Sequence, residues 1–306
     1  MTPPPMAHDA VVAVGVSTMW TSPDAPRPCD DAAVADVPDP AAWVTAMTED
    51  ERRGLGGRTL SQLLLGDPVL VDEVCNGWAR VVAVGQARSG PDVRGYPGWM
   101  PAAHLAHPLA EHSRTDSHVG GSYVVDAMVT TLRDEPCGDP ALDIVVGTEL
   151  AAVGRAQDGY LPVGIAGQPG PLWARLADLA VPGAATAEQI LKLARRFAGV
   201  PYVWGGTSPY GLDCSGLVYL LHRRFGVLLP RDADDQEARC ESCDQHDQRP
   251  GHLAFFHDSG GRIHHVGIID APGRLLHASG SAGRVQSDPL DGELAATMHS
   301  VGRAVS

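Results

Sequence analysis

The chain has 306 residues, of which 44% are hydrophobic, with 35 glycines and 25 prolines, and it carries a formal net charge of -14. This length predicts two or three domains, and the composition is typical of small, turn-rich globular units rather than of a disordered chain. The negative charge argues against nucleic acid as a partner, because phosphate binding needs a basic surface, and no apolar run approaches the length of a membrane span.

The region between Val11 and Ala180 contains short apolar runs separated by Gly, Pro and Asp clusters. This pattern is typical of small β-barrels or β-sandwiches. The segment from Ala41 to Arg53 is an exception and predicts a short helix inserted in the first unit. Two stretches of this region are weakly similar: both have a Gly-led turn before an apolar run, and both have a later Gly-Tyr pair. They indicate a duplicated module.

A first long helix is predicted after this region. Thr186 to Gln189 has the pattern of a capping box, an apolar stripe follows it, and Gly199 is placed where the helix ends.

A second helix is predicted to begin near Cys214, because apolar residues recur at helical spacing after a Gly-rich, aromatic approach. Unpaired backbone N–H groups at a helix N-terminus favour a thiolate, which is the nucleophilic form of cysteine. Cys214 is therefore a candidate nucleophile. The alternative is a buried structural cysteine, which would not explain the Gly-rich approach or the Ser-Gly pair that follows.

Two short strands are predicted further on, at either side of a turn-forming loop. If Ile269 pairs with Leu275, His265 becomes the diagonal neighbour of His277 on the same face, and such diagonals lie at roughly 7 to 8 Å between backbones. His264 would then point to the other face. A slip of one residue would exchange His264 and His265, so parity alone leaves both as candidates for the catalytic base.

These motifs together resemble the NlpC-type papain-like cysteine peptidases of bacterial cell-wall metabolism. The resemblance rests on the segment from Tyr202 to Asp232, with its Asp-Cys-Ser-Gly run, and on the later His-Val-Gly-Ile and His-Ala motifs. It implies that Cys214 is the nucleophile, that His265 is the general base and acid, and that His277 orients His265. This is the division of labour of a catalytic triad.

The two similar stretches resemble bacterial SH3-like barrels, and two such barrels before an NlpC-type domain are similar to the bacterial gamma-D-glutamyl-L-diamino acid endopeptidases. We therefore expect an α+β chain with an all-β SH3-like barrel and helical insertion at residues 1–110, a second barrel at 111–182, and a papain-like catalytic domain at 183–306. The resemblance implies hydrolysis of the bond between D-glutamate and a diamino acid in peptidoglycan peptides that begin with a free L-alanine. We expect no cofactor.

Substrate contacts follow from the same resemblance, which implies that the first barrel walls one end of the cleft. An acidic residue there, matched by Asp67, would hold the free amino terminus of the peptide. Asp67 is also good turn chemistry before a proline, and it is one methylene shorter than the usual Glu. The other positions that match the cleft of the family are Tyr96, Tyr202, Trp204, Ser215 and Asp232, and core packing is the alternative for the aromatic residues.

The six cysteines have irregular spacing, which fits a reducing compartment better than a disulfide framework. Cys240 and Cys243, with His246 nearby, form half of a zinc signature, but no second pair has a suitable spacing, so we assign no metal and favour a solvated, redox-labile pair. No Lys or Arg precedes Arg27 and Val11 begins an apolar run too short for a signal peptide. We therefore expect a cytoplasmic enzyme that acts on soluble wall fragments in peptide recycling.

Two other functions stay open. The same triad could serve an amidase or an acyl transferase, or the chain could be a catalytically silent wall-binding protein. Intact Cys214, His265 and His277 argue against silence. Ala233, where a Ser is usual, and His252, where an acidic residue is usual, leave the identity of the substrate open.

Overall fold

The computed structural model describes residues 7–90, 92–109, 121–244, 246 and 248–304. Its first part is a sheet of seven strands: β1 His8–Val12, β2 Val16–Trp20, β3 Thr59–Leu64, β4 Pro68–Cys75, β5 Trp78–Ala83, β6 Tyr96–Pro101 and β7 Leu105–Ala106. They lie in the order β3-β2-β6-β5-β4-β1-β7. The sheet closes around its own apolar cluster, because Val69 and Val71 alternate inward on β4 and meet Val81 and Ala83 of β5.

A helical insertion joins β2 to β3 and contains α1 Asp31–Val34, α2 Pro40–Ala46 and α3 Glu49–Arg53. The predicted helix from Ala41 to Arg53 is thus two helices with a break at Met47 and Thr48. Thr48 starts α3 as a capping box with Glu51, which explains the break. Trp43 of α2 packs on Trp20 of the sheet at 6.1 Å between ring centroids, so the insertion has its own small core.

The second part is also all β. Its strands are β8 Ser122–Val125, β9 Val129–Arg133, β10 Pro140–Val145, β11 Glu149–Ala151, β12 Tyr160–Val163, β13 Leu172–Arg175 and β14 Leu179–Ala180. They form sheets of order β10-β9-β13-β12 and β11-β8-β14 around one apolar cluster. The predicted boundary between residues 110 and 111 lies outside the described residues, and the SH3-like assignment and the domain limits stay predictions.

The C-terminal part mixes helices and strands. Its helices are α4 Ala187–Arg195, α5 Cys214–Arg223, α6 Ala233–Arg239 and α7 Gly292–Thr297. Its strands are β15 Thr207–Ser208, β16 Gly211–Leu212, β17 Glu241–Cys243, β18 Leu253–His257, β19 Ile263–Ala271, β20 Arg274–Ser279, β21 Arg284–Pro289 and β22 Met298–Arg303. The last six form one sheet, in the order β17-β22-β18-β19-β20-β21.

Helix α5 is central, because every one of its ten residues is buried. One side packs on β19 and β20, and Leu220 near its end reaches Gly147 of the second part. The predicted capping box of α4 is confirmed: Thr186 Oγ1 accepts from the Gln189 N–H at 3.3 Å, and Gln189 Oε1 accepts from the Thr186 N–H at 2.9 Å. Of the helices in the described ranges, none is long and apolar enough to cross a membrane.

Candidate active site

Cys214 is the first residue of α5, and the chain before it is folded tightly against the helix start. The Asp213 carboxylate accepts from the Gly216 N–H at 2.6 Å, as an N-cap, and from the Gly205 N–H at 2.9 Å. A Cβ at Gly216 would lie 2.0 Å from the carbonyl oxygen of Gly206. The Gly-rich approach is therefore a steric requirement, since only glycine lets this turn and the helix start come together.

Burial favours the thiol form of Cys214 in the free protein. Its Sγ donates to the His264 carbonyl at 3.9 Å. Burial raises the pKa of Cys214 to about 12, and the Asp213 carboxylate adds to this. Loss of hydration therefore opposes the thiolate that the helix terminus favours. A base must remove the proton during the reaction.

The strand pairing brings two histidines together. Ile269 pairs with Leu275, as predicted, and His265 Nε2 lies 2.7 Å from His277 Nδ1. A Cβ at Gly267 would lie 2.9 Å from the His277 Cβ, so a glycine is needed for the two strands to approach here. Cys214 lies against the main chain of the same strand, since its Sγ contacts the carbonyl oxygen of His264.

A fourth residue, which the sequence analysis missed, extends the line of contacts that begins with His265 and His277. His277 Nε2 lies 3.0 Å from Asp288 Oδ2, and Gln286 donates to the same carboxylate. Both come from β21, which pairs with β20. The signal was present in the sequence as two polar residues with period two on a strand next to the histidine strand.

Donor and acceptor roles along this line fix the tautomers. The Asp288 carboxylate only accepts, so His277 Nε2 carries a hydrogen and His277 Nδ1 is a lone pair. The 2.7 Å contact then requires His265 Nε2 to donate. His265 is left with its lone pair on Nδ1, which can accept a proton from Cys214.

Both rings are neutral near pH 7. Burial lowers the pKa of His265 to about 3, with His277 as a further cause. Burial also lowers the pKa of His277, against the opposing effect of Asp288. Burial therefore favours a thiol at Cys214 and neutral rings at His265 and His277, with the Asp288 carboxylate bound to the far side of His277.

A cavity of about 650 Å³ opens beside the two histidines. His264 is exposed and also lines it, so it is a wall residue of the same cavity rather than a residue of a separate face. Trp204 is 48% exposed at this cavity, and its carbonyl accepts from Thr59 Oγ1 of the first sheet at 2.6 Å. Tyr202 is half-buried on the same wall.

On the side of the first sheet, the Tyr96 hydroxyl donates to the Asp232 carboxylate at 3.1 Å. Arg231, one residue before, donates to Asp213 at 2.7 Å and to Ser215 Oγ at 2.9 Å. Ser215 is therefore buried in a network beside the nucleophile and does not line the cavity. Tyr96 and Asp232 meet across the junction of the two parts, and their contact with substrate stays a prediction.

Asp67 does not join this group. Its carboxylate forms a buried ion pair with Arg223, 2.8 Å from Oδ2 to Nη1, and it also accepts from the Leu64 N–H at 2.9 Å. Arg223 is nine residues after Cys214 on α5, roughly 13 Å along the helix axis. The prediction that Asp67 holds the substrate is corrected on this ground: its oxygens are already taken at the far end of the helix.

The pair Cys240 and Cys243 lies apart from the histidines, at the end of α6 and on the edge strand β17. Burial raises the pKa of Cys240 to about 12, which opposes the thiolate that a zinc site needs. Among the described residues, the candidate metal clusters do not include either cysteine.

Comparisons with known proteins agree with the resemblance to NlpC-type cysteine peptidases. A sequence model of the NlpC/P60 family matches residues 199–303. The chain is similar to the gamma-D-glutamyl-L-lysine dipeptidyl-peptidase of Bacillus subtilis (strain 168), with 33% identity over 280 residues that cover 89% of this chain and 90% of the relative. It is also similar to the protein of that name in Bacillus cereus (strain ATCC 10987 / NRS 248), with 29% identity over 294 residues, 92% of this chain and 86% of the relative.

Among solved structures, the crystal structure of an NlpC/P60 family protein from Bacillus cereus ATCC 10987 is similar over 98% of this chain and 100% of that chain. The TM-score is 0.88 and the identity 26%. The similarity therefore extends over the N-terminal sheets as well as the catalytic part.

Proposed function

We propose, since this chain belongs to the NlpC/P60 family of cysteine peptidases, that it hydrolyses the bond between the D-glutamate side-chain carboxyl and an L-diamino acid in peptidoglycan peptides with a free N-terminal L-alanine. The relatives named gamma-D-glutamyl-L-lysine dipeptidyl-peptidase support this bond as the target. The observation that carries the proposal is the series of contacts from His265 through His277 to Asp288 beside a cavity, with Cys214 Sγ against the main chain of the His265 strand.

In the mechanism, the Cys214 proton moves to His265 Nδ1 as the sulfur attacks the carbonyl carbon. Main-chain N–H groups at the start of α5 stabilise the oxyanion. When the C–N bond breaks, His265 returns that proton to the leaving amine and a thioester stays on Cys214. Water then gives a proton to His265 and its oxygen attacks the thioester. The proton returns to sulfur as the acid product leaves. His277 and Asp288 hold His265 in the tautomer that this sequence needs.

The contacts on the acyl side of the cleft favour a substrate whose free amino terminus binds there. Tyr96 of the first sheet bonds to Asp232 of the catalytic part, so the first sheet forms a wall there. Burial raises the pKa of Asp232, so a cation beside it would be favoured. With Asp67 occupied elsewhere, we assign the N-terminal ammonium to Asp232 and Tyr96.

The charges on the leaving-group side of the cleft favour a cationic residue in the substrate. The cavity beside the histidines is lined by Asp258, Asp288 and Glu293, and there is no Lys or Arg among its described lining residues. A diamino acid brings an ammonium to this side. Opposite charges then meet in a partly closed space, where their attraction is stronger than in open water.

We further propose a role in cell-wall peptide recycling in the cytoplasm, with residues 1–110, 111–182 and 183–306 as two barrels and a catalytic domain. A cleft walled on its acyl side suits short, soluble peptides better than long wall strands with capped amino termini. This is the feature that separates the proposed function from an amidase or acyl transferase with the same triad.

The test compares the peptide L-Ala-γ-D-Glu-L-Lys with its N-acetylated form, using mass spectrometry to identify the products and kcat/KM to rank them. We expect release of L-Ala-γ-D-Glu and lysine from the free peptide and a strong loss of rate on the acetylated one, because the acetylated nitrogen carries no positive charge for Asp232 to bind. The Cys214→Ala variant is the control for contaminating peptidases. Equal rates on both peptides would contradict the proposed recognition of the amino terminus.

A further inference from the structure

The loop between β5 and β6 carries an arginine to the acyl side of the cleft. On either side of Arg88 the loop is bound to the catalytic part: the Ala87 carbonyl accepts from the Arg231 N–H at 3.1 Å, and the Ser89 N–H donates to Asp235 at 2.7 Å. The main chain of Arg88 is therefore held in place between two contacts. Its side chain is directed at the site rather than being a free surface group.

The Arg88 side chain lies on the two residues that we assign to the substrate ammonium. Its Nε is 3.3 Å from Asp232 Oδ2, and its guanidinium carbon is 4.7 Å from the centre of the Tyr96 ring. The side chain is 41% exposed and that of Asp232 is 32% exposed. Neither Nη atom has a hydrogen bond to a residue within the described ranges. The fork of the guanidinium, the part that binds carboxylates bidentately, is thus open to a ligand.

A site for an ammonium group alone would not contain this arginine, because a second cation beside Asp232 weakens the attraction for the first. The proposed substrate, however, carries two charges in its acyl half. The γ-linkage uses the side-chain carboxyl of D-glutamate, so its α-carboxylate stays free, one residue away from the L-alanine ammonium. One positive and one negative group on the ligand match one negative and one positive group on the protein.

We propose that Arg88 is a specificity-determining residue whose guanidinium binds the free α-carboxylate of the D-glutamyl residue while Asp232 and Tyr96 bind the ammonium. The proposal rests on the proposed function. In the free protein Arg88 and Asp232 neutralise each other. When the peptide binds, the Arg88–Asp232 contact is replaced by two contacts, one from Arg88 to the α-carboxylate and one from Asp232 to the ammonium. Peptides in which this carboxylate is amidated should be poor substrates.

The experiment compares L-Ala-γ-D-Glu-L-Lys with the same peptide carrying an α-amide on D-glutamate. For the wild type we expect kcat/KM to be about 10- to 100-fold lower on the amide, the size of a lost hydrogen bond to a charged group. Arg88→Gln should lower kcat/KM on the acid peptide by a similar factor, mostly through KM, and bring the ratio of the two peptides close to one. Arg88→Lys should restore part of the preference.

Arg94→Gln is the matched control, since Arg94 lies in the same loop but pairs with Asp72 of β4 and with Asp92 of the loop; it should keep the wild-type ratio. Thermal melting checks that each variant is folded. A ratio unchanged in Arg88→Gln would overturn the assignment while leaving the proposed function intact. Faster cleavage of both peptides would also overturn it, because Arg88 would then block the ammonium site. A wild type that cleaves neither peptide refutes the proposed function and this assignment with it.

Discussion

Replacing Asp288 by Asn tests whether the fourth residue of the line sets the state of the catalytic base. The carboxylate can only accept, so it keeps the hydrogen of His277 on Nε2. An amide can donate through its NH₂ group, which would move that hydrogen to Nδ1 and reverse the contact with His265. His265 would then carry its hydrogen on Nδ1 and could not accept the thiol proton. The variant keeps the shape of the side chain and changes its hydrogen-bonding roles.

The magnitude follows from the contacts. A hydrogen bond to a charged group is worth about 1.5 to 3 kcal/mol, and each 1.4 kcal/mol is tenfold in rate, so kcat should fall by about 10- to 100-fold. KM should change less, because Asp288 acts through His277. The pH profile adds a second readout. Asp288 raises the pKa of His277, so its removal should move the acid limb of kcat/KM to lower pH.

The assay is steady-state hydrolysis of L-Ala-γ-D-Glu-L-Lys between pH 4 and 9, with thermal melting as a check on folding. Asp291→Asn is the control, since Asp291 is exposed and its side chain does not cap the helix that follows. An Asp288→Asn enzyme with wild-type kcat, or an acid limb displaced to higher pH, would refute the tautomer argument.

Three further predictions concern the triad, the far end of α5 and acid stability. His265→Ala should abolish turnover and His264→Ala should retain most of it, as measured by product release; the reverse result would exchange their roles. Asp67→Asn should lower the free energy of unfolding by about 3 to 5 kcal/mol, since it leaves Arg223 buried without its partner, and any folded enzyme should keep its peptide preference. Burial lowers the pKa of His222, so its neutral ring contributes to stability above pH 6.5 and this contribution is lost as pH falls. The free energy of unfolding, measured with urea at pH 7 and pH 5, should therefore fall less in His222→Gln than in the wild type, by up to about 1.4 kcal/mol per pH unit.

The histidine geometry could be predicted from the sequence because strand parity is a local rule. Once Ile269 is paired with Leu275, the positions of His265 and His277 follow from the period of two. The capping box at Thr186 was equally local, since it depends on residues three apart.

The protonation state of Cys214 was not predictable in this way. The helix N-terminus can be seen in the sequence, but the burial of the thiol depends on the packing of β19 over it, which is a long-range contact. Arg88 and Asp288 were missed for a similar reason. Each contacts a partner on another element, and the alternation of Gln286 and Asp288 alone does not say which residue they meet.

At Asp67 the sequence motif correctly indicates a turn, but the substrate contact expected from it is not found, because the carboxylate pairs with Arg223. Gly66 and Gly147 open the two similar turns, and each has a φ of 84°. Arg223 contacts both turns: its guanidinium pairs with Asp67, and its Nε donates to the Gly147 carbonyl at 3.0 Å. The repeated stretches thus meet at the C-terminal end of α5. At the N-terminal end of the same helix, Arg231 joins the first sheet to the nucleophile, since its Nε donates to Ser61 Oγ at 2.9 Å and its Nη2 to Asp213.

Both arginines are buried, and their side chains donate across the junction: Arg223 to Asp67 and Gly147, and Arg231 to Ser61. Such planar, always charged groups fix the relative position of the elements that they bridge, because removing one partner would leave a charge without compensation. The N-terminal sheets therefore have two roles in the proposed function, one far from Cys214 and one beside the substrate. Through Arg223 they hold the helix that carries Cys214, and we propose that through Tyr96 and Arg88 they supply a wall of the substrate cleft.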